Sequence, residues 1–385
     1  MQIEDIYITL TIVLAAIMLI FGLQFGILSR KTESPVLRQS ARILIFTYCY
    51  FGLVNVMEAW GFTTEPTYYD IMLFRVATLI TAVSQCFTLT FALVLLINAS
   101  YVTRKRIFHE LIPIATLSAV LLTLFFIAPP PVLEISIYIF IIFYIYLLIK
   151  YTWIFVITYR NALRKLDNFF SGQEALRLRW INVSFFAALS IGVIALLGSL
   201  FPSVITGIIC YIFYYVFYIS FAINFVNHGF VYKKLEQVLT EEKDDDDDDE
   251  TEYQKSEEED EYEEEDEEKN LMTLTTQNLI WEKLKTWQSE KHFLNPDITI
   301  DDVSQKIGTN KKYISIYVNR HINKSFRNWI NDLRIEEAKN LLLEQPEMSI
   351  KQISEKTGFS KSSYFSKLFF LNTKRNPLAW RKEQL

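Results

Sequence analysis

TIDDVSQKIGTNK (residues 299–311) and SIKQISEKTGFSK (residues 349–361) align over all thirteen positions at an offset of 50 residues. They share the Ile at the second position, Ser304 with Ser354, Lys306 with Lys356, Gly308 with Gly358, and the final lysine. This is an internal duplication. Each copy opens with a capping box, Thr299 with Asp302 and Ser349 with Gln352: the hydroxyl satisfies an orphan helix amide and the third residue reaches back to the cap. Each predicts a short helix with one apolar face, Ile300, Val303 and Ile307 in the first and Ile350 and Ile353 in the second. Gly308 and Gly358 stop these helices, because glycine adopts a left-handed conformation most readily.

After each glycine a second helix is predicted, KKYISIYVNRHI (311–322) and KSSYFSKLFFLN (361–372). Lys312, Ser315 and Asn319 share a polar face in the first. Ser363 and Lys367, with Ser362 beside them, do so in the second. Ile314 and Val318, and Phe365, Leu368 and Phe369, form the apolar backs. Two short helices joined by a glycine turn, the second basic on its outer face, have the shape that lays a recognition helix in the major groove. Between the copies, SFRNWINDLRIEEAKNLLLEQP (325–346) reads as one helix, apolar at Phe326, Trp329, Ile330, Leu333, Leu341 and Leu342 and ended by Pro346. A connector of roughly 18 residues is near 27 Å long, enough to hold two recognition helices about one turn of DNA apart.

The segment from Leu279 to Arg381 resembles the AraC/XylS-type DNA-binding domain. The residues that carry the likeness are RIEEAKNLL (334–342), SIKQISEKTGFSKSSYFSKLF (349–369) and the closing Pro377, Trp380 and Arg381. The resemblance implies a bacterial, sequence-specific transcription regulator, usually an activator, that acts on duplex DNA and RNA polymerase. Its base-reading side chains correspond to Lys312 and Ser315 in the first unit and to Ser362, Ser363 and Lys367 in the second; Lys311, Asn319, Lys361 and Arg381 complete the candidate DNA contacts. Ile316 stands where the family usually has Arg, and Asn323 and Lys374 stand where it has glycines after the recognition helices.

N-terminal to this module, residues 241–268 hold 21 Asp or Glu against two Lys, a net charge of −19. Such a run repels itself and has nothing to bury, so it reads as a disordered acidic linker. Residues 1–240 carry a net +5 and residues 269–385 a net +8, so the overall −6 hides two basic modules and one acidic tether. As a flexible coil, the 28 residues from Lys243 to Asn270 would span about 30 Å root-mean-square, more with self-repulsion. Two roles are open to it: a soluble spacer, or a flap of carboxylates that competes with phosphates for the basic domain.

The first 230 residues contain seven apolar runs: Ile6–Leu28, Ile43–Phe62, Ile71–Ser100, Ile107–Ala128, Leu133–Thr158, Trp180–Phe201 and Ser203–Val226. Each is near the roughly 20 residues that a membrane-crossing helix needs. IYIFIIFYIYLLI (137–149) has no polar face at helical period, as a lipid-exposed span requires and a soluble amphipathic helix does not. Lys and Arg favour cytoplasmic loops. They fall at Arg30, Lys31, Arg38 and Arg42, at Arg104–Arg106, at Arg160, Arg164, Lys165, Arg177 and Arg179, and at Lys233 and Lys234. The intervening loops TTEPTYYD (63–70), PPPVLE (129–134) and FPS (201–203) hold none. The expectation is a multi-pass inner-membrane protein with its N-terminus outside and its C-terminal domain cytoplasmic, and no cleavable signal peptide.

The predicted organisation is therefore all-α: a seven-span bundle (1–235), the acidic linker (236–270) and the double helix-turn-helix domain (271–385). Within the spans, Glu58, Arg75 and Lys150 are candidate sensor positions, because intramembrane charge is costly without a role. Glu58 and Arg75 flank the same outward loop at similar depth, where they are placed to pair or to reach the interface. Cys49, Cys86 and Cys210 read as buried apolar residues. No metal spacing, phosphate loop, Gly-x-Ser-x-Gly or His-Glu-x-x-His occurs, so neither an enzyme nor a cofactor is expected. The partners to consider are duplex DNA, membrane lipid, a second copy of the chain, RNA polymerase and a signal ligand. The rival reading is a membrane platform that positions DNA or a protein and senses nothing. A transporter with a regulatory tail fits less well, since no pair of Gly/Pro-broken spans recurs.

Overall fold

The computed structural model describes residues 3–61, 68–172, 177–229, 238–239 and 274–385. The acidic linker, most of the outward loop 63–70 and most of the segment after the seventh apolar helix lie outside the described residues. Among the described residues, seven helices are long and apolar enough to cross a membrane. They are α1 (Ile3–Lys31), α2 (Pro35–Gly61), α3 (Tyr68–Ile97), α4 (Arg104–Ile127), α5 (Pro130–Phe169), α6 (Arg179–Leu200) and α7 (Val204–Gly229). α3 is the axis of the bundle: 83% of its most apolar window is buried, against 17% in α4 and 33–39% in the others. Its Val76, Leu79, Val83 and Phe87 pack with Ile114 of α4 and Ile137, Tyr144 and Tyr151 of α5. The outer faces are apolar as well, with Leu23, Phe126, Ile139 and Trp60 exposed. That distribution is costly in water and neutral in hydrocarbon, where helices associate through packing rather than by hiding apolar surface.

Two helices run beyond the apolar segments read from the sequence. α2 begins at Pro35, which suits a first helical position, and Ser34 Oγ accepts from Leu37 N at 3.0 Å as its cap. α5 continues past Thr158 to Phe169, a helix of 40 residues. Its extension, YRNALRKLDNF, is rich in good helix formers and buries Ala162 and Leu166 on one side.

Two compact units emerge, one of Met1–Ala162 with Leu178–Glu242 and one of Leu163–Arg177 with Lys243–Leu385. In the second, α8 (Leu274–Ser289) and a 3-10 turn (His292–Leu294) lead into α9 (Ile300–Ile307) and α10 (Lys311–Ile316), which runs on as a π-helical turn through His321. The connector α11 (Phe326–Glu344) follows, then α12 (Ile350–Lys356), α13 (Ser362–Thr373) and α14 (Pro377–Gln384). α11 serves two cores. Its N-terminal half gives Phe326, Trp329 and Ile330 to a cluster with Ile280, Leu284, Val303, Ile314 and Val318. Its C-terminal half gives Ile335, Ala338 and Leu342 to another with Ile353, Phe359, Phe365 and Phe369.

Candidate nucleic-acid interface

Each helix-turn-helix is built by local chemistry the sequence spells out. Thr299 Oγ1 accepts from Asp302 N at 3.2 Å while Asp302 Oδ2 accepts from Thr299 N at 2.8 Å. Ser349 and Gln352 repeat the exchange at 3.3 and 2.9 Å. Gly308 (φ 67°) and Gly358 (φ 80°) are left-handed. At Gly358 the requirement is steric as well, since a Cβ there would lie 2.3 Å from the Leu294 carbonyl oxygen. Asn323 (φ 54°) and Lys374 (φ 59°), the positions where the resemblance leads one to expect glycine, keep the same left-handed turn.

The candidate contacts on α10 and α13 differ in exposure. Asn310 caps α10, its side chain accepting from Lys312 N at 2.9 Å. Lys312 and Asn319 are exposed and Ser315 half-buried, with Asn319 Nδ2 donating to Ser315 Oγ at 3.2 Å. On α13, Ser363 and Lys367 are exposed, Lys361 precedes the first turn in the open, and Ser362 is half-buried. Ile316 is buried, so it supplies packing to α10 where an arginine would reach outward. Lys311 sits 3.8 Å from the Asp301 carboxylate and 5.7 Å from the centre of the Phe169 ring. Arg381 is buried and donates to the Pro346 and Met348 carbonyls at 2.8 and 2.7 Å, tying α14 to the end of the connector.

Polar side chains of α11 that the sequence did not mark as partners fix the second recognition helix, and the loop before the first unit, to the connector. Arg327 Nη2 and Asn331 Nδ2 donate to the Tyr364 hydroxyl of α13 at 2.9 and 3.3 Å. Burial works against the charge of Arg327, but Tyr364 and the Asp167 carboxylate outweigh it and raise its pKa above the usual arginine value. Arg334, almost fully buried, donates Nε to Phe293 O at 2.8 Å and Nη2 to Asn295 O at 2.6 Å. It thereby locks the loop that precedes the first unit to the middle of the connector. Guanidinium forks suit such paired carbonyl contacts.

In the apolar helices the three charged candidates find separate partners. The Glu58 carboxylate accepts from the hydroxyls of Tyr7 and, at 2.8 Å, Tyr211. Arg75 is buried, donates to Ser199 O at 2.9 Å and lies over the Tyr138 ring at 5.8 Å; Glu58 and Arg75 thus stand on different partners, not as a pair. Lys150, in the middle of α5, meets Glu110 of α4 at 2.6 Å, with Tyr151 donating to the same carboxylate at 3.2 Å. Among the described residues no cluster of three or more His, Cys, Asp or Glu is placed to hold a metal.

Residues 303–383 match the family described as a helix-turn-helix domain. An uncharacterised HTH-type transcriptional regulator in the cgkA 5' region of Pseudoalteromonas carrageenovora is 31% identical over 93 residues, 24% of this chain and 54% of that protein. The uncharacterised HTH-type transcriptional regulator YijO of Escherichia coli is 26% identical over 113 residues, 29% of this chain and 39% of that protein. The chain therefore spans about half, or less, of the length of these curated relatives. The C-terminal domain of AraT, a response regulator from Geobacillus stearothermophilus, is 27% identical over 27% of this chain and 84% of that one, with a TM-score of 0.25. The C-terminal region is a helix-turn-helix domain of the AraC type, and its relatives support a DNA-binding transcription regulator.

Proposed function

We propose that this chain is a membrane-bound, sequence-specific transcription regulator, with a sensing bundle at 1–235, an acidic tether at 236–270 and a cytoplasmic DNA-binding domain at 271–385. The observation that carries the reading is the pair of capped helix-turn-helix units with exposed Lys312, Asn319, Ser363 and Lys367 in one chain with seven apolar helices. Lys312 and Ser315 read one half-site; Ser362, Ser363 and Lys367 read the next; Lys311 and Lys361 neutralise phosphates; Arg381 orients α14. In the bundle, Glu58 with Tyr7 and Tyr211 is the outward polar site where a signal ligand acts, and Arg75 and Lys150 hold the helices around it. The overall basicity of residues 269–385, +8, suits a phosphate backbone, and the tether keeps that charge clear of anionic headgroups.

The test is fractionation joined to occupancy. Tagged full-length chain should sediment with inner membranes and resist alkaline extraction, and its genomic footprint should concentrate at a few promoters and change with external conditions. A chain found in the soluble fraction removes the membrane half of the proposal. Occupancy that never changes would favour the platform reading.

A further inference from the structure

The last turns of α5 and the residues after them, Asp167 to Ser171, belong to the same compact unit as the helix-turn-helix domain, and they are bound to it by four kinds of contact. Phe170 is buried and forms an antiparallel bridge with Thr299, the cap of α9. Ser171 donates N and Oγ to Ile298 O at 3.3 and 2.8 Å and accepts at Oγ from Arg334 Nη2 at 3.2 Å. Asp167 accepts from Arg327 Nη1 at 2.8 Å. Phe169 packs on the first unit's core and lies beneath the ammonium of Lys311. The seat is specific in its chemistry: a backbone bridge at Thr299 with the Ile298 carbonyl beside it, an apolar slot for two aromatic rings, and two guanidinium groups for a carboxylate and a hydroxyl.

We propose that Asp167–Ser171 is a docking arm, and that the surface formed by Ile298, Thr299, Lys311, Arg327 and Arg334 is its receptor. α5 is a single helix from Pro130 to Phe169, so the arm gives the apolar helices a second, non-covalent hold on the DNA-binding unit besides the acidic tether. The hold reaches both recognition helices. Lys311 opens α10, and Arg327 joins Asp167 to Tyr364 of α13. A shift of α5 along its axis would carry the arm, and with it the receptor surface, because Asp167–Phe169 are the last turn of that helix. The inference extends the regulator reading, but its test does not use DNA. An arm that docks in a chain that never binds DNA would sink only the regulator. A chain that binds DNA with the arm free would sink only the arm.

Cysteine pairs in the full chain, in native membranes, test it. Paired strand residues lie about 4.5–5.5 Å apart at Cα, inside the range a disulfide spans. Phe170→Cys with Thr299→Cys should therefore close on mild oxidation about tenfold faster than Phe170→Cys with Lys351→Cys, an exposed position that only tethering brings near. Closure is read as one band on a non-reducing gel after cutting at a protease site placed in the acidic run. Asp167→Cys with Arg327→Cys, joined by a short bismaleimide, repeats the measurement with the α9 cap intact. Adding Phe169→Ala with Asn168→Lys to the first pair leaves its cysteines in place and should bring the rate down to the tethered control. Equal rates for the docked and control pairs, or rates that the Phe169→Ala chain leaves unmoved, overturn the proposal.

Discussion

The two helix-turn-helix units descend from one pattern and meet different surroundings. In the first, Gly308 faces open space, the nearest atom to a built Cβ being Lys283 Nζ at 3.9 Å, and α10 gives way to a π turn after Ile316. In the second, Gly358 is pressed on the Leu294 carbonyl, and α13 runs for 12 residues without interruption, held at its start by Arg327 and Asn331. Similar local signals thus yield one glycine turn that is loosely bordered and one that is closed against the Leu294 backbone.

The largest expected difference lies at the glycines. Gly358→Ala should destabilise the domain by about 3 kcal/mol, since the methyl group strikes backbone that cannot turn aside, whereas Gly308→Ala should cost only the left-handed strain of about 1 kcal/mol. Denaturant unfolding followed by tryptophan fluorescence compares them; equal losses would erase the contrast between the units. Next come the reading faces. Ser363→Ala and Lys367→Ala should weaken binding to the preferred site by about 1–3 kcal/mol and relax sequence preference, while Lys361→Ala should weaken all duplexes alike and lower the salt slope by about one. Titrations against specific and scrambled duplexes separate these outcomes. The caps should be equivalent: Thr299→Ala and Ser349→Ala each cost about 1 kcal/mol, and a twofold gap between them would show that the boxes are not independent of their setting. The smallest effect is a gain. Lys374→Gly should stabilise by less than about 1 kcal/mol, because lysine carries a left-handed penalty that glycine lacks, while Asn323→Gly should be close to neutral because asparagine tolerates that turn.

Much of the second unit was legible because its determinants are local. A capping box, an apolar face at helical spacing and a glycine stop lie within a span of ten residues, Ser349 to Gly358, and the spacing alone places them. Asn323 and Lys374 read only as departures from the family's glycines, and the structure shows that both keep a left-handed turn. Partners distant in sequence were not legible. Nothing near Arg334 announces the Phe293 and Asn295 carbonyls, and Glu110 and Lys150, forty residues apart, meet only once α4 and α5 are packed. Glu58 and Arg75 illustrate the converse, for similar depth on neighbouring helices did not make them partners. The overrun of α5 was hidden by hydropathy, which falls at Arg160, Arg164 and Lys165, although Ala162 and Leu166 at helical spacing marked its continuing buried face.

The central claim is that a chain with seven apolar helices grips duplex DNA with its C-terminal domain. The most direct measurement is binding of full-length protein in lipid nanodiscs to a labelled promoter fragment across a salt series from about 50 to 200 mM. Six to ten phosphate contacts predict a fall in affinity of about 10³–10⁵ over that range, with the promoter preferred to scrambled duplex throughout. Affinity that is flat with salt, or no binding at the lowest salt by folded protein, would contradict the account.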